Sequence, residues 1–154
     1  MRSRIQAVVL PSEVGEFGDE LHRIFRELGR APGADALTGE CSPAVDVYET
    51  DHVVEMAMDL PGVGAEAVRI VIKGSAVIIA GEKPPRRARA ESSFHLVERG
   101  FGRFARLIRV TTPVDTARAS ATLANGELRL TLPKIADRRG TAIRIAISPG
   151  RPVA

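Results

Sequence analysis

The spacing of apolar residues changes once along this chain, and that change limits the possible folds more than any other feature. Within residues 16–28 the apolar side chains recur at the 3.6-residue period of a helix, whereas from residue 44 they alternate with polar neighbours, the period of a half-buried strand. Turn dipeptides, among them Asn125-Gly126, separate the alternating segments. Short strands divided by turns, with no helical period between them, predict an all-β, immunoglobulin-like antiparallel β-sandwich over residues 43–134.

The strands of this sandwich are predicted from their apolar positions. These are Val54, Met56, Met58 and Leu60, then Val68, Ile70 and Ile72, then Phe104, Ile108 and Val110, then Ala119, Ala121 and Leu123, and finally Leu128, Leu130 and Leu132. Residues 76–80 are apolar throughout, which predicts a strand covered on both faces. The chain has no Trp, one Tyr and five Phe, so its core must be aliphatic.

The two ends of the chain are predicted to be arms rather than parts of the sandwich. Residues 16–28 form an amphipathic helix, and a helix this short is marginal in water unless its apolar stripe is buried. Glycines and prolines between residues 29 and 43 then predict a linker. We therefore expect a short helical N-terminal arm over 1–42 and a flexible C-terminal tail over 135–154.

Length and charge set further limits. A chain of 154 residues allows about one domain. Its net charge of +3 is small, since the N-terminal arm is acidic and the tail basic. The densest basic run, Lys83 with Arg86, Arg87 and Arg89, is flanked by acidic residues and is best interpreted as a solvated loop. We therefore expect no nucleic-acid partner.

The cellular compartment is predicted from segments that the sequence does not contain. No segment approaches the roughly 18 apolar residues of a membrane span, and the first apolar run, 7–10, has no signal-peptide pattern. The single cysteine, Cys41, cannot form an internal disulfide, in agreement with a reducing compartment. We expect a cytoplasmic protein with no membrane span.

Two motifs suggest nucleotide or RNA binding but lack the required context. Gly62-x-Gly64-x-x-Ala67 has the spacing of a dinucleotide turn, yet a strand pattern follows where a helix is needed to hold the pyrophosphate. The segment 99–106 resembles an RNA-recognition strand, but Arg103 and Arg106 stand where stacking aromatics are required. Both motifs are interpreted as ordinary turn and strand.

Catalytic or metal-binding patterns are not found. His22, His52 and His95 lie far apart in sequence and in no ligand-spaced cluster. The acidic residues of 46–59 lack the spacing and the glycine of a calcium loop and are better explained as a polar strand face. We expect no enzyme, no cofactor and no metal.

Several short motifs occur in a fixed order and together cover residues 43–134. They are Val45-Asp46-Val47-Tyr48-Glu49, Asp59-Leu60-Pro61-Gly62-Val63, Gly81-Glu82-Lys83, Glu98-Arg99 with Gly102-x-Phe104-x-Arg106, Ala121-x-x-x-Asn125-Gly126-x-Leu128, and Leu132-Pro133-Lys134. In this order they resemble the α-crystallin domain of the small heat-shock proteins, bacterial type. The tail motif Ile143-Arg144-Ile145 is similar to that family's I-x-I anchor.

The resemblance implies an ATP-independent chaperone, a holdase that binds partly unfolded client proteins and assembles from dimers into larger homo-oligomers. A second function stays open, that of a non-catalytic β-sandwich interaction module or co-chaperone that binds one folded partner. The I-x-I tail and the apolar stripe of the arm separate the two, because an adaptor for one partner needs neither.

The resemblance also implies how subunits pair. In bacterial relatives the segment equivalent to 92–99 crosses to the sheet edge of a partner subunit and covers an edge that would otherwise invite aggregation. We therefore expect a strand-exchanged dimer through Phe94 and Leu96, with Arg106 supporting the interface. The alternative is that these are ordinary core and loop residues.

Higher assembly is expected to use the tail. By resemblance, Ile143 and Ile145 dock in a groove whose lining residues are Val68, Ile70, Ile72, Ala119, Ala121 and Leu123. Ile147 offers a second register, Ile145-x-Ile147. The alternative is that 141–147 form a last strand in their own sheet.

Client binding needs apolar surface that becomes exposed under stress, because soluble proteins rarely display large apolar patches. The candidates are the stripe residues of the arm helix, Phe17, Leu21, Ile24, Phe25 and Leu28. They are chosen because the helix is expected to lie outside the sandwich on a flexible linker. The alternative is that this face only packs between subunits.

Overall fold

The structure is a computed structural model that describes residues 5–9, 14–28, 41–85, 89–136 and 142–147. The described part holds one helix and eight strands, apart from two single turns of 3₁₀ helix. They are β1 (Ile5–Val9), α1 (Val14–Glu27), β2 (Val45–Glu49), β3 (Val53–Asp59), β4 (Val68–Lys73), β5 (Ala76–Lys83), β6 (Gly102–Val110), β7 (Ser120–Ala124) and β8 (Glu127–Pro133).

The strands form two four-stranded antiparallel sheets. One sheet, here called the β5 sheet, has the order β1-β6-β5-β4; the other, the β3 sheet, has the order β2-β3-β8-β7. The predicted antiparallel sandwich is confirmed, as is the predicted N-terminal helix.

The core between the sheets is built from the predicted alternating positions. In β3 and β8 every second residue is buried, and the register pairs Met56 with Leu130 and Met58 with Leu128. Phe104 and Ile108 of β6 join the same cluster from the opposite sheet. The core is therefore aliphatic apart from the buried ring of Phe104.

Strand β5 is buried on both faces, as its unbroken apolar run predicts. Val77 and Ile79 face the core between the sheets. Ala76, Ile78 and Ala80 point to the other side, where they pack against α1. The second cover of this strand is thus the helix of the N-terminal arm.

Strand β1 is an element that the sequence did not reveal. It pairs with β6 over its full length, from Ile5 opposite Val110 to Val9 opposite Arg106. An unpaired β6 edge would expose a row of backbone donors and acceptors that invites pairing with other chains. The N-terminal arm therefore covers both an edge and a face of the β5 sheet.

Gly126 and Gly81 are required by the backbone at two places, a hairpin turn and a close contact between chain segments. Asn125 and Gly126 both have positive φ, 53° and 76°, which is the conformation of the predicted hairpin turn between β7 and β8. Gly81 of β5 lies so close to the chain that enters β4 that a Cβ would stand 2.3 Å from the carbonyl oxygen of Ala67. Only glycine allows this close approach at the rim of the sheet.

Candidate functional site

The outer face of the β5 sheet carries helix α1. The buried stripe of the helix consists of Phe17, Leu21, Ile24 and Phe25, each no more than 6% exposed, with Leu28 partly buried beside them. The floor beneath it is formed by Ala76, Ile78, Ala80 and Leu107, flanked by Val71 and Ala105. The helix lies outside the two-sheet core, and its stripe packs against the outer face of the β5 sheet of the same chain, so its role in client binding stays a prediction.

One flank of the helix is held by acidic side chains that face β4. Glu20 accepts a hydrogen bond from the ammonium of Lys73 and lies 3.8 Å from the Nη1 atom of Arg23. Two turns further along, Glu27 lies 3.9 Å from the Nε atom of Arg69. Lys73 and Arg69 are four residues apart in β4, with Val71 midway between them. The two pairs therefore fix the direction of the helix along the strand.

The environment of Glu20 favours its charged form. The hydrogen bond from Lys73 lowers the pKa of the Glu20 carboxyl below its ordinary value of 4.5. Burial acts in the opposite direction, and the charges of Lys73 and Arg23 add to the lowering. Glu20 therefore stays a carboxylate wherever the chain is near neutral pH.

The other flank is held by aromatic rings that face β6. The guanidinium of Arg103 lies 5.2 Å from the centre of the Phe25 ring, and that of Arg109 lies 5.5 Å from the centre of the Phe17 ring. Both distances are within the range of cation–π attraction. Sequence reasoning missed these residues, although the signal existed: alternate positions of β6 place basic side chains on a face whose other members are small and apolar.

Strand β2 is the other feature of interest, because it is an edge of the β3 sheet. Among the described strands it pairs with β3 alone, and the residues Asp46, Tyr48 and Glu49 are exposed. This is the kind of edge that a strand from another subunit can cover.

The segment between β5 and β6 exposes apolar side chains. Phe94 is 52% exposed and Leu96 73% exposed, and residues 89–101 contain no strand. With Pro84 and Phe101 they line an open pocket of about 590 Å³ beside the Pro61-Gly62 turn. The strand-like form that we expected for 92–99 is therefore not adopted in the single chain, where this segment pairs with none of the described strands.

Arg106 lies inside the sandwich, beside the edge formed by β2. Its side chain is buried, and its Nη1 atom donates a 2.5 Å hydrogen bond to the carbonyl oxygen of Pro43, just before β2 begins. Burial lowers its pKa, and its Nε atom has no hydrogen-bond partner within the described residues. Arg106 thus joins β6 to the chain segment that leads into β2.

The tail residues of the expected anchor are exposed. Ile143, Ile145 and Ile147 are between 66% and 96% exposed, and residues 142–147 form no strand. The alternative of a last strand in the chain's own sheet is therefore not supported for these residues. The rest of the tail after Ala136 lies outside the described residues.

The expected receiving groove lies at two sheet edges. β4 and β7 are edge strands of different sheets, and Val68, Ile70, Ile72, Ala119 and Leu123 all pack against the core between the sheets. Val68 is buried and most of the others are partly buried, whereas Ala121 is exposed. The two edges therefore offer apolar side chains that are only partly covered.

The structure explains the motifs whose spacing suggested nucleotide or RNA binding. The turn at Gly62 and Gly64 leads into one turn of 3₁₀ helix and then β4, so it provides no helix for a phosphate. Phe104 is buried between the sheets and cannot stack on a base. Within the described ranges, no three His, Cys, Asp or Glu side chains are grouped to hold a metal ion. No helix in that part of the chain is both long and apolar enough to cross a membrane.

The described residues form a two-sheet antiparallel sandwich with an edge strand at β2, an exposed apolar segment before β6 and exposed isoleucines in the tail. Residues 46–148 match the family model described as Hsp20/alpha crystallin family. The chain belongs to this family.

Relatives and a solved structure agree with the assignment. Heat shock protein 16 of Schizosaccharomyces pombe is 35% identical over 72% of this chain and 78% of its own length. Spore protein SP21 of Stigmatella aurantiaca is 33% identical over 69% of this chain and 63% of its own length. The solved structure of heat shock protein 16.0 from Schizosaccharomyces pombe superposes with a TM-score of 0.60 at 34% identity and covers 70% of this chain and 99% of its own. Together these similarities support a holdase chaperone function.

Proposed function

We propose that this chain is an ATP-independent holdase that binds partly unfolded proteins through the apolar stripe of α1 and prevents their aggregation under stress. The observation that carries the proposal is the stripe itself. One short helix on the outside of the sandwich buries four large apolar side chains of its own against the β5 sheet. A helix of 14 residues is marginal alone, so it can detach while the sandwich remains folded. Detachment exposes apolar surface without global unfolding.

The proposed basic unit of assembly is a strand-exchanged dimer. The segment 92–99 would pair with the β2 edge of a partner subunit, placing Phe94 and Leu96 against its sandwich. Two features support this: the segment has exposed apolar side chains but no strand of its own, and β2 has a free edge. Arg106 would support the interface by holding the chain before β2 through the Pro43 carbonyl.

The proposed contact between dimers is the tail anchor. Ile143 and Ile145 would dock between β4 and β7, with Ile145 and Ile147 as the second register. Burying an isoleucine contributes about 1.5–3 kcal/mol before ordering costs. A net value of about 4 kcal/mol corresponds to a Kd near 1 mM, so one tail binds weakly and exchanges readily. Repetition around an assembly supplies avidity.

We further propose that the protein is not an enzyme, requires no cofactor and acts in the cytoplasm. The family supports non-catalytic chaperone action. The single cysteine, Cys41, which cannot form an internal disulfide and packs against the core, supports a reducing compartment.

The function is tested by following the heat-induced aggregation of a model client by light scattering, with and without the full-length protein and with no nucleotide present. Suppression that rises with the amount of chain supports the holdase. Tight binding of one folded partner without any suppression would instead favour the co-chaperone or interaction module.

A further inference from the structure

The floor beneath α1 has a composition suited to helices other than α1. Three alanines, Ala76, Ala80 and Ala105, surround Ile78 and Leu107, so the surface is apolar but nearly flat. Small side chains across neighbouring strands leave room for bulky residues of a helix above them. This outer face of the β5 sheet is here called the helix platform.

The platform has a basic rim on both sides. The side chains of Arg69 and Lys73 stand on the β4 side, and those of Arg103 and Arg109 stand on the β6 side. In the register, Lys73 pairs with Ala76 and Ala76 pairs with Arg109, so one row across β4, β5 and β6 has a cation at each end, with Gln6 of β1 beyond Arg109. An apolar floor between two rows of cations favours an amphipathic helix with acidic and aromatic side chains.

Helix α1 contacts both rims along its length. From its start to its end it meets Lys73 and then Arg69 through carboxylates, and Arg109 and then Arg103 through phenyl rings. The apolar contacts between these flanks are non-directional. The arm makes these contacts through two classes of side chain, carboxylates and phenyl rings, which helices of other sequences also carry.

We propose that the helix platform is itself a client-binding surface, which takes amphipathic helical segments of non-native proteins that carry acidic side chains beside an apolar stripe with aromatic residues. Helix α1 is its resident occupant and competes with such segments. This inference rests on the proposed holdase function and names the class of segment bound. The arm stripe and the platform then become available together when α1 detaches.

A helix fits this surface better than an extended segment. Pairing with an extended peptide requires a free backbone edge. The platform is a sheet face, and β1 already pairs with the β6 edge beside it. Charge complementarity further favours acidic helices, because four cations and one acidic residue, Glu82 opposite Arg103 in the register, border the apolar floor.

The test uses the full chain and fluorescent peptides as probes. The first probe is residues 14–28 of this chain, and the second is a designed helix that keeps the pattern of acidic, aromatic and aliphatic positions but shares no residue with the first. Binding is measured by fluorescence anisotropy to the wild type and to Glu20→Lys, which sets a cation against Lys73 and weakens the resident helix. Asp19→Lys makes a matched charge change at the neighbouring, exposed position.

We expect both probes to bind Glu20→Lys about three- to tenfold more tightly than they bind the wild type or Asp19→Lys. Adding Lys73→Glu to Glu20→Lys restores the opposite charges between arm and platform and should return probe binding to the wild-type level. A probe whose two aromatic positions are alanine should bind about tenfold more weakly, since each buried ring supplies much of the contact. Equal affinities for Glu20→Lys and Asp19→Lys would overturn the proposal.

Two further outcomes are decisive. If only the probe of residues 14–28 binds, the platform serves exchange of α1 between copies of this chain and the proposal is wrong. If Glu20→Lys does not fold, the designed probe is given a photoreactive group in its apolar stripe and is crosslinked to the wild type instead. Attachment to Ile78 or Leu107 supports the proposal. Attachment only elsewhere overturns it. Client suppression without probe binding would defeat this inference but not the holdase function. Probe binding without suppression would defeat the holdase function, and with it the client-binding role of the platform, and would leave only a surface that binds helices.

Discussion

The carboxylate of Glu20 accepts a hydrogen bond from the ammonium of Lys73, a contact that ties the N-terminal arm to β4 across 53 positions of sequence. The Glu20 side chain is only 11% exposed, whereas that of Lys73 is 60% exposed. Loss of the lysine would therefore leave a nearly buried carboxylate with a weaker compensating charge. The arm is thus docked by a polar contact that a modest change can weaken.

Replacing Lys73 should loosen the arm without unfolding the sandwich. In Lys73→Gln we expect the backbone amides of α1 to exchange hydrogen several-fold faster, with the amides of β3 and β8 unchanged, because the contact lies outside the core. Hydrogen exchange read by mass spectrometry measures both regions at once. Lys83→Gln, on the neighbouring strand, is the matched control. Equal protection of α1 in all three proteins would argue against docking through Glu20.

Arm docking should depend on pH only in acid. The pKa of Glu20 is lower when the arm is docked than its ordinary value of 4.5, so docking is fully supported above that value and weakens as the pH falls through the lowered one. We expect α1 protection, corrected for intrinsic exchange rates, to be constant from neutral pH down to about 4.5 and to fall below it. Glu20→Gln should lack this acid dependence. Protection lost well above that value would contradict the assignment.

The dimer should depend on alternate residues of the segment before β6. If 92–99 becomes a strand on the partner's β2 edge, Phe94 and Leu96 share one face and His95 the other. Leu96→Glu should therefore convert dimers to monomers, whereas His95→Glu should leave them intact. Mass from light scattering distinguishes these outcomes, and a dimer that survives deletion of 92–97 would exclude strand exchange.

Removal of the tail anchor should stop assembly at the dimer. Ile143→Ala combined with Ile145→Ala deletes most of the apolar surface that the proposed groove would receive, and these side chains make no core contact whose loss would unfold the chain. Light scattering should then report dimers in place of larger oligomers. Ile147→Ala with Ile145→Ala tests the second register. Unchanged mass in both double variants would disprove the anchor.

Local patterns predicted most of the sandwich because strand alternation and turn residues are encoded within a few positions. The buried faces of β3 and β8 and the Asn125-Gly126 hairpin follow from spacing alone. Strand β1 could not be predicted in this way, since five residues become a strand only through pairing with β6 about a hundred positions away.

The position of α1 was beyond prediction for a similar reason. Its period identifies which side of the helix is apolar but not what covers that side. The cover is formed by outward residues of β5 and β6, and its anchors, Lys73, Arg103 and Arg109, are individually ordinary surface cations. The segment 92–99 differs from expectation because a strand forms only by pairing with a sheet edge, and in the single chain this segment pairs with none of the described edges.

Chaperone action without nucleotide is tested by the light scattering of a heat-aggregating client in the presence of increasing amounts of this chain. We predict that scattering is suppressed at ratios near one chain per client and that added ATP changes nothing. Undiminished client aggregation at a large excess of folded chain, or suppression that appears only with ATP, would show that this chain is not an ATP-independent holdase.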